Sequence, residues 1–301
     1  MGDRGRRKWW VLGCLIVLGC VVLAVATVAG LTWLSLRSAD PRSSVLVHER
    51  QGLDVAASRN DESVPTRTPL NVLLELDSCE VYIEPGVPGE PLSVEAYYDA
   101  HDYRLEEIVE EGVPRNYRLR FLVTSSRFIT GIKQGLRGGQ PQLRVRLPID
   151  TPIELTLVQR NGGAIVDLGG LHLRAADFDV GGALLKVDAD DRLQGDLERL
   201  TVKGRQGGLV VESLNLMQPK RIEVDFRMGQ ALFDFRGPWV SDTTVDLSMS
   251  LADAIVRLPR DARVTGLDTG LITPAFSEEI RPPTLTFTVE SGTRTTLRVF
   301  E

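Results

Sequence analysis

Cysteine is scarce in this chain of 301 residues: there are three, and Cys14 and Cys20 both lie in one apolar run, so Cys79 stands alone in the rest. That count excludes a disulfide framework. Histidine is as rare, and His48, His101 and His172 lie far apart, which leaves no spacing for a His-based metal site. No basic stripe follows the N-terminus, and the net charge is -6 with a pI near 5.3. Nucleic acid is excluded as a partner, because its phosphates have to be neutralised by clustered Lys and Arg. Aromatic residues are thin: five Tyr and four Trp, of which Trp9, Trp10 and Trp33 sit beside the apolar run. A polymer-cleaving β-helix needs acids, bases and aromatics on successive turns around its paired carboxylates, and that pattern is missing. Gly135-Leu-Arg-Gly-Gly-Gln-Pro141 lacks the Gly-Lys-Ser/Thr ending of a phosphate loop and reads as a connection between strands. No catalytic constellation emerges, and neither an enzyme activity nor a cofactor is expected.

Long apolar stretches are absent with one exception. Residues 9–34 carry no charge over 26 positions, roughly 39 Å as a helix at about 1.5 Å per residue. That exceeds the roughly 30 Å hydrocarbon core, so the helix spans it with tilt. Arg4, Arg6, Arg7 and Lys8 precede the run, whereas Arg37 and Arg42 after it are countered by Asp40; the positive-inside bias puts the N-terminus in the cytoplasm. Trp9, Trp10 and Trp33 fall at the two ends of the span, where indoles settle at headgroup level. Ala24, Ala26 and Ala29 offer small residues to a signal peptidase, but the run is longer than a usual signal core. Val17-Leu-Gly-Cys20 loosely matches a lipobox, yet the chain stays apolar for fourteen more residues. The expectation is a single-pass protein of the cytoplasmic (inner) membrane. It has a basic tail over 1–8, a transmembrane helix over 9–34, a polar linker over 35–69, and a domain over 70–301 presented to the periplasm or cell wall.

Beyond the linker, apolar and polar residues alternate over 70–76, 80–83, 117–123, 143–147 and 153–158, the period of half-buried strands. Residues 103–111 fit either a hairpin arm or a short acidic helix with Leu105, Ile108 and Val109 on one face. The clearest feature is an internal repeat. Residues 155–168, 178–187, 200–211, 222–235 and 245–258 each read as a strand, a turn of glycine or small residues, and a second strand. The turn markers Gly163, Gly182, Gly208, Gln230 and Asp253 are separated by 19, 26, 22 and 23 residues, one solenoid rung per copy. On this reading Ile165, Leu184, Val210, Leu232 and Ile255 form an inward apolar column, and a terminal hairpin of residues 284–289 and 295–300 caps the stack against edge pairing.

Three stretches carry a family likeness. They are Asn161-Gly-Gly-Ala-Ile-Val-Asp-Leu-Gly-Gly-Leu-His-Leu173, Phe178-Asp-Val-Gly-Gly-Ala-Leu184, and Phe235-Arg-Gly-Pro-Trp239 leading to Ala254-Ile-Val-Arg-Leu-Pro-Arg-Asp-Ala-Arg-Val264. Here the chain resembles the toast-rack superfamily of bacterial envelope proteins, which includes adhesin-type β-repeat domains and the domain of the cell-wall-stress regulator LiaF. The resemblance covers about residues 70–301, most clearly 141–264. It implies an all-β, single-stranded, right-handed β-solenoid-like (toast-rack) domain, here after one N-terminal transmembrane helix, with no cofactor and no catalytic residue to carry over. LiaF-like proteins have several membrane helices where this chain has one such run, and Gln230 and Asp253 stand where turn glycines are expected.

Asp188, Asp190 and Asp191, with Asp177 and Asp179, offer oxygen ligands of the kind hard cations take, but read as solvated turns on an acidic surface. A calcium β-roll would need a third glycine where Ile165 stands. Cys79 reads as a buried, inert thiol. Trp239, after Gly237-Pro238, fits a rung-edge core residue and also a ring that stacks on sugar. The function expected is non-enzymatic: a membrane-anchored scaffold or stress-linked interaction domain that binds an envelope protein or a cell-wall polymer. A polysaccharide-binding adhesin is the second class, with Trp239 as its candidate contact.

Overall fold

The computed structural model describes residues 45–51, 69–100, 102–110, 114–124, 140–267, 282–292 and 295–300. The expected membrane run, with Trp9, Trp10, Trp33, Arg6, Arg7 and Lys8, lies outside them. Among the described residues no helix is long and apolar enough to cross a membrane.

Alternating burial builds the rungs. Strands β2 (Leu70–Pro85), β7 (Ile153–Asp167), β8 (Leu173–Asp188) and β9 (Arg199–Val211) each make a whole rung in one bent strand. In later rungs the path is split into β10 (Arg221–Phe226) and β11 (Gly229–Asp234), then β12 (Thr243–Met249) and β13 (Ala252–Arg257), then β15 (Thr284–Ser291) and β16 (Thr296–Phe300). Parallel pairing stacks the first halves in the order β2-β7-β8-β9-β10-β12-β15 and the second halves in the order β2-β7-β8-β9-β11-β13-β16. A short β14 (Arg263–Thr265) pairs with the far side of β15, so the last rung is inserted between β12 and β14. At the other end, β5 (Arg115–Val123) joins the first half of β2 and carries β4 (Tyr103–Glu110) antiparallel on its outer edge. On the second half of β2 lies β6 (Gln142–Leu147), followed antiparallel by β3 (Ser93–Asp99) and then β1 (Val45–Gln51). The one helix among these residues, α1 (Leu214–Met217), is a single turn.

The architecture is the all-β solenoid that the repeat predicts, with three corrections. First, residues 45–51, inside the segment read as linker, form β1, whereas residues 103–110 are the strand that the hairpin-arm reading expects. Second, the rung equivalents are Gly163, Leu184, Gly208, Gln230 and Asp253. Gly182 instead pairs with Asn161 and Gln206, two residues away from its expected register.

Third, the supposed inward column faces outward. Ile165 is 46% exposed and Leu184 53%, while Ala164, Val166, Leu185, Val187, Leu209, Val211, Ala231, Phe233, Ala254 and Val256 are buried. The cause is the corner between the two halves, which reverses the alternation in the rungs from β2 to β12–β13. In β2 the buried positions run Leu70, Val72, Leu74, Leu76 and then Cys79, Val81, Ile83; in β9 they run Leu200, Val202 and then Leu209, Val211. A slip of one residue exchanges the two faces of a strand, and runs such as Leu209-Val210-Val211 are apolar at both parities, so alternation carried across the corner picks the wrong one.

Glycine makes that corner possible. At Gly162 φ is +108° and an added Cβ would lie 1.9 Å from the Cys79 carbonyl oxygen of the preceding rung, so neither a side chain nor an ordinary backbone fits. Beneath it the buried Gln159 amide donates from Nε2 to the carbonyls of Cys79 (2.8 Å), Asn161 (3.2 Å) and Gly163 (3.3 Å), satisfying backbone groups that the corner removes from the ladder. Between the sheet halves runs one continuous apolar core, each of whose large side chains contributes about 1.5–3 kcal/mol.

Candidate functional site

The residues singled out from the sequence do not converge. Trp239 is 5% exposed, its Nε1 donates to the Phe235 carbonyl (2.7 Å), and its ring stacks on Phe235 at 6.0 Å between centroids. It is a core residue at the rung edge and presents no face to a sugar. Cys79 is fully buried, and burial pushes its thiol far above the ordinary range, reinforced by Asp77 and Glu80. Asp177 and Asp179 stand on the first half of β8, whereas Asp188 ends its second half and Asp190 and Asp191 follow it, so the two groups of acids are not brought together. Asp177 pairs with Arg199 (3.0 Å) and Asp188 with Lys186 (3.1 Å). Burial works against the charge on Asp188, but hydrogen bonds from Ser213 and Lys186 outweigh it and hold the carboxyl below its usual range. The same balance holds at Asp234, where Arg236 and Arg257 prevail over burial.

What the structure does assemble is the outer face of the second halves. In-register stacking places Arg144, Tyr82, Ile165, Lys186, Val210, Leu232, Ile255 and Arg298 in one row across β6, β2, β7, β8, β9, β11, β13 and β16. From Ile165 to Ile255 this row runs roughly 19 Å at the spacing of neighbouring strands. In the adjacent row the glycines Gly163 and Gly208 flank the protruding Leu184. Along the row's other side lie the carboxylates Asp188, Glu212 and Asp234, tied to Lys186, Arg236 and Arg257 at 2.5–3.3 Å. The Glu212 and Asp188 partners raise the Lys186 pKa, so its charge persists. The result is an apolar ridge, broken by Lys186, with a charged border.

Where the row meets β6 and β3 it opens into a shallow cavity of about 270 Å³ lined by Tyr82, Glu95, Tyr97, Gln142, Leu143 and Arg144. Five of these, with Glu80, form a grid two residues deep and three strands wide. Tyr97, Gln142 and Glu80 make one row; Glu95, Arg144 and Tyr82 make the other. Each pair within it is tied: Tyr97 Oη donates to Glu95 Oε1, Gln142 Nε2 donates to Glu80 Oε2 (3.3 Å), and the Arg144 guanidinium lies 6.0 Å from the centre of the Tyr82 ring. A second cavity of about 310 Å³ lies on the outer face of the first halves, lined by Thr201, Lys203, Arg221, Glu223, Asp246 and Thr288 among others, with Arg221 bound to Glu223 (2.7 Å) and Asp246 (3.0 Å).

Sequence reasoning missed the grid. The grid residues are ordinary strand residues far apart in the chain, Glu80 and Gln142 by 62 positions, joined because β6 pairs with both β2 and β3; the ridge was read, but with its face reversed.

No family model and no curated protein matches the chain. Among solved structures it is similar to a proposed cell adhesion protein from Clostridium sporogenes, at 10% identity and a TM-score of 0.36, over 84% of this chain and 98% of that one. It is also similar to a proposed adhesin from Bacteroides fragilis, at 9% identity and a TM-score of 0.37, over 86% and 98% of the two chains. A third, a proposed adhesin from Parabacteroides distasonis, shares 10% identity over 86% and 95% with a TM-score of 0.25.

Proposed function

We propose that this chain is a non-enzymatic interaction protein of a bacterial cell envelope. In this reading residues 9–34 anchor a toast-rack domain to the cytoplasmic membrane, and the outer face of its second sheet half binds an envelope protein. The observation that carries the reading is the outward apolar ridge of Ile165, Leu184, Val210, Leu232 and Ile255, with Ile165 and Leu184 about half exposed. A solvated antiparallel or solenoid face ordinarily alternates to polar residues outside, and contiguous exposed apolar surface marks interaction sites. The charged border supplies the polar rim such interfaces carry.

The test is mild crosslinking and co-purification from native membranes, comparing full-length protein with a Leu184→Asp/Leu232→Asp variant of equal stability. A defined protein partner recovered with the first and reduced at least tenfold with the second is the expected result. Equal recovery with both removes the ridge as the binding surface. A second reading, a polysaccharide-binding adhesin, is favoured by the tyrosine pair of the grid.

A further inference from the structure

We propose that the grid of Tyr82, Tyr97, Glu80, Glu95, Gln142 and Arg144 is a binding site for one neutral sugar ring of an envelope glycan. This rests on the adhesin reading and not on the protein-partner one. Four features of the grid lead to it. The first is size: at about 270 Å³ the cavity is at the small end of ligand sites, which run from roughly 300 Å³ upward, so it takes one ring and not an extended chain.

The second is the arrangement of ring faces. The two tyrosines stand at opposite corners of the grid, on β3 and β2 with β6 between them, which sets their Cα atoms roughly 12 Å apart from strand and residue spacings. Both side chains line the cavity, one on either side of a space about the breadth of one pyranose. The C–H faces of a sugar are apolar, and an aromatic face is their natural cover, while a phenol edge can still hydrogen-bond.

The third is the choice of polar groups. Carboxylates, an amide and a guanidinium are the acceptors and donors that adjacent hydroxyls satisfy in pairs. Here Glu95 and Glu80 occupy the corners and Gln142 and Arg144 the centre. Each is already held by at least one internal contact, so little side-chain freedom is lost on binding, and such preorganisation is what a small ligand needs.

The fourth is charge. Two carboxylates face one guanidinium in the grid, and neighbouring Arg146 is engaged by Glu84 (3.0 Å) and Glu95 (3.9 Å). Arg144 itself lies 3.7 Å from Glu84, so among the described residues of the grid each guanidinium already faces a carboxylate, and uronic acids and phosphorylated sugars are disfavoured relative to neutral hexoses.

The experiment uses the full chain in detergent micelles and a panel of neutral oligosaccharides (gluco-, chito- and manno-series) beside uronic-acid oligosaccharides, read by saturation-transfer NMR and calorimetry. The expected result is binding of a neutral series with a dissociation constant on the order of 1 mM, weakened at least tenfold by Tyr82→Ala and by Tyr97→Ala. Tyr97→Phe, which keeps the ring and loses the tie to Glu95, is expected to weaken it less. Unchanged melting temperatures of these exposed-site variants confirm that folding is intact. Neutral-sugar binding that ignores both tyrosine changes overturns the site while leaving the adhesin reading standing. Absence of binding across the panel overturns both, and preference for the uronic acids overturns the ligand class. Loss of a crosslinked protein partner in Tyr97→Ala, without sugar binding, assigns the grid to the protein interface instead.

Discussion

At the scale of the residue, this molecule depends on a few positions where backbone geometry leaves no choice. Gly162 is the clearest: its φ of +108° and the 1.9 Å approach of an added Cβ to the Cys79 carbonyl oxygen mean that Gly162→Ala has to move two rungs apart. Such strain costs about 3 kcal/mol, and for a domain of this size that lowers Tm by roughly 5–10 °C. Differential scanning calorimetry of the variant checks it; a Tm within about 1 °C of the parent contradicts the close rung approach. Only part of this was legible in the sequence. The Gly-Gly pairs marked the turns, but Gly162, not Gly163, carries the positive φ, and Gln159 buried beneath the corner looked like a polar residue on an alternating strand. Its role exists only because three carbonyls from two rungs converge on one amide. Trp239 illustrates the opposite limit: its neighbours Gly237 and Pro238 are equally at home beside a sugar and at a rung edge, and the hydrogen bond to Phe235, which decides between them, is invisible in the chain.

At the scale of the element, the strands were legible and their faces were not. Period-two alternation located β2, β5, β6 and β7, because half-burial leaves that signature wherever one parity is polar. Second halves lack it, since Ala231-Leu232-Phe233 and Ala254-Ile255-Val256 are apolar at three successive positions, and the corner inverts the parity inherited from the first half. A paired substitution measures this inversion. Leu209 is 1% exposed, so Leu209→Asp buries an unpaired carboxylate at a cost above about 4 kcal/mol. The next residue outward, Val210→Asp, is expected to cost less than about 1 kcal/mol. Urea unfolding of the two proteins is the check, and a larger loss for Val210→Asp than for Leu209→Asp reverses the assignment of inner and outer faces. The register slip at Gly182 has a related origin: both Gly181-Gly182 and Gly207-Gly208 are glycine pairs, and matching like with like ignores that stacking aligns Gly208 with Leu184.

At the scale of the whole molecule, in-register parallel stacking turns a repeated pattern into a surface. One outward position per rung becomes a row, apolar at Ile165, Val210, Leu232 and Ile255 and interrupted at β8 by Lys186, and at the first end β2 and β3 place Tyr82 and Tyr97 beside it, across β6. The ridge and the tyrosine grid lie on the same side of the second half. The core tolerates this exposure because the opposite parity of β7, β8, β9, β11 and β13 is buried. The most direct measurement of the central claim is site-specific photocrosslinking in native membranes, with a photoreactive side chain placed at Leu232 on the ridge or, as the contrast, at Asp225 on the outer face of the first half. The account predicts a discrete adduct from position 232 and none from position 225; adducts of equal yield from both positions, or from 225 alone, would contradict it.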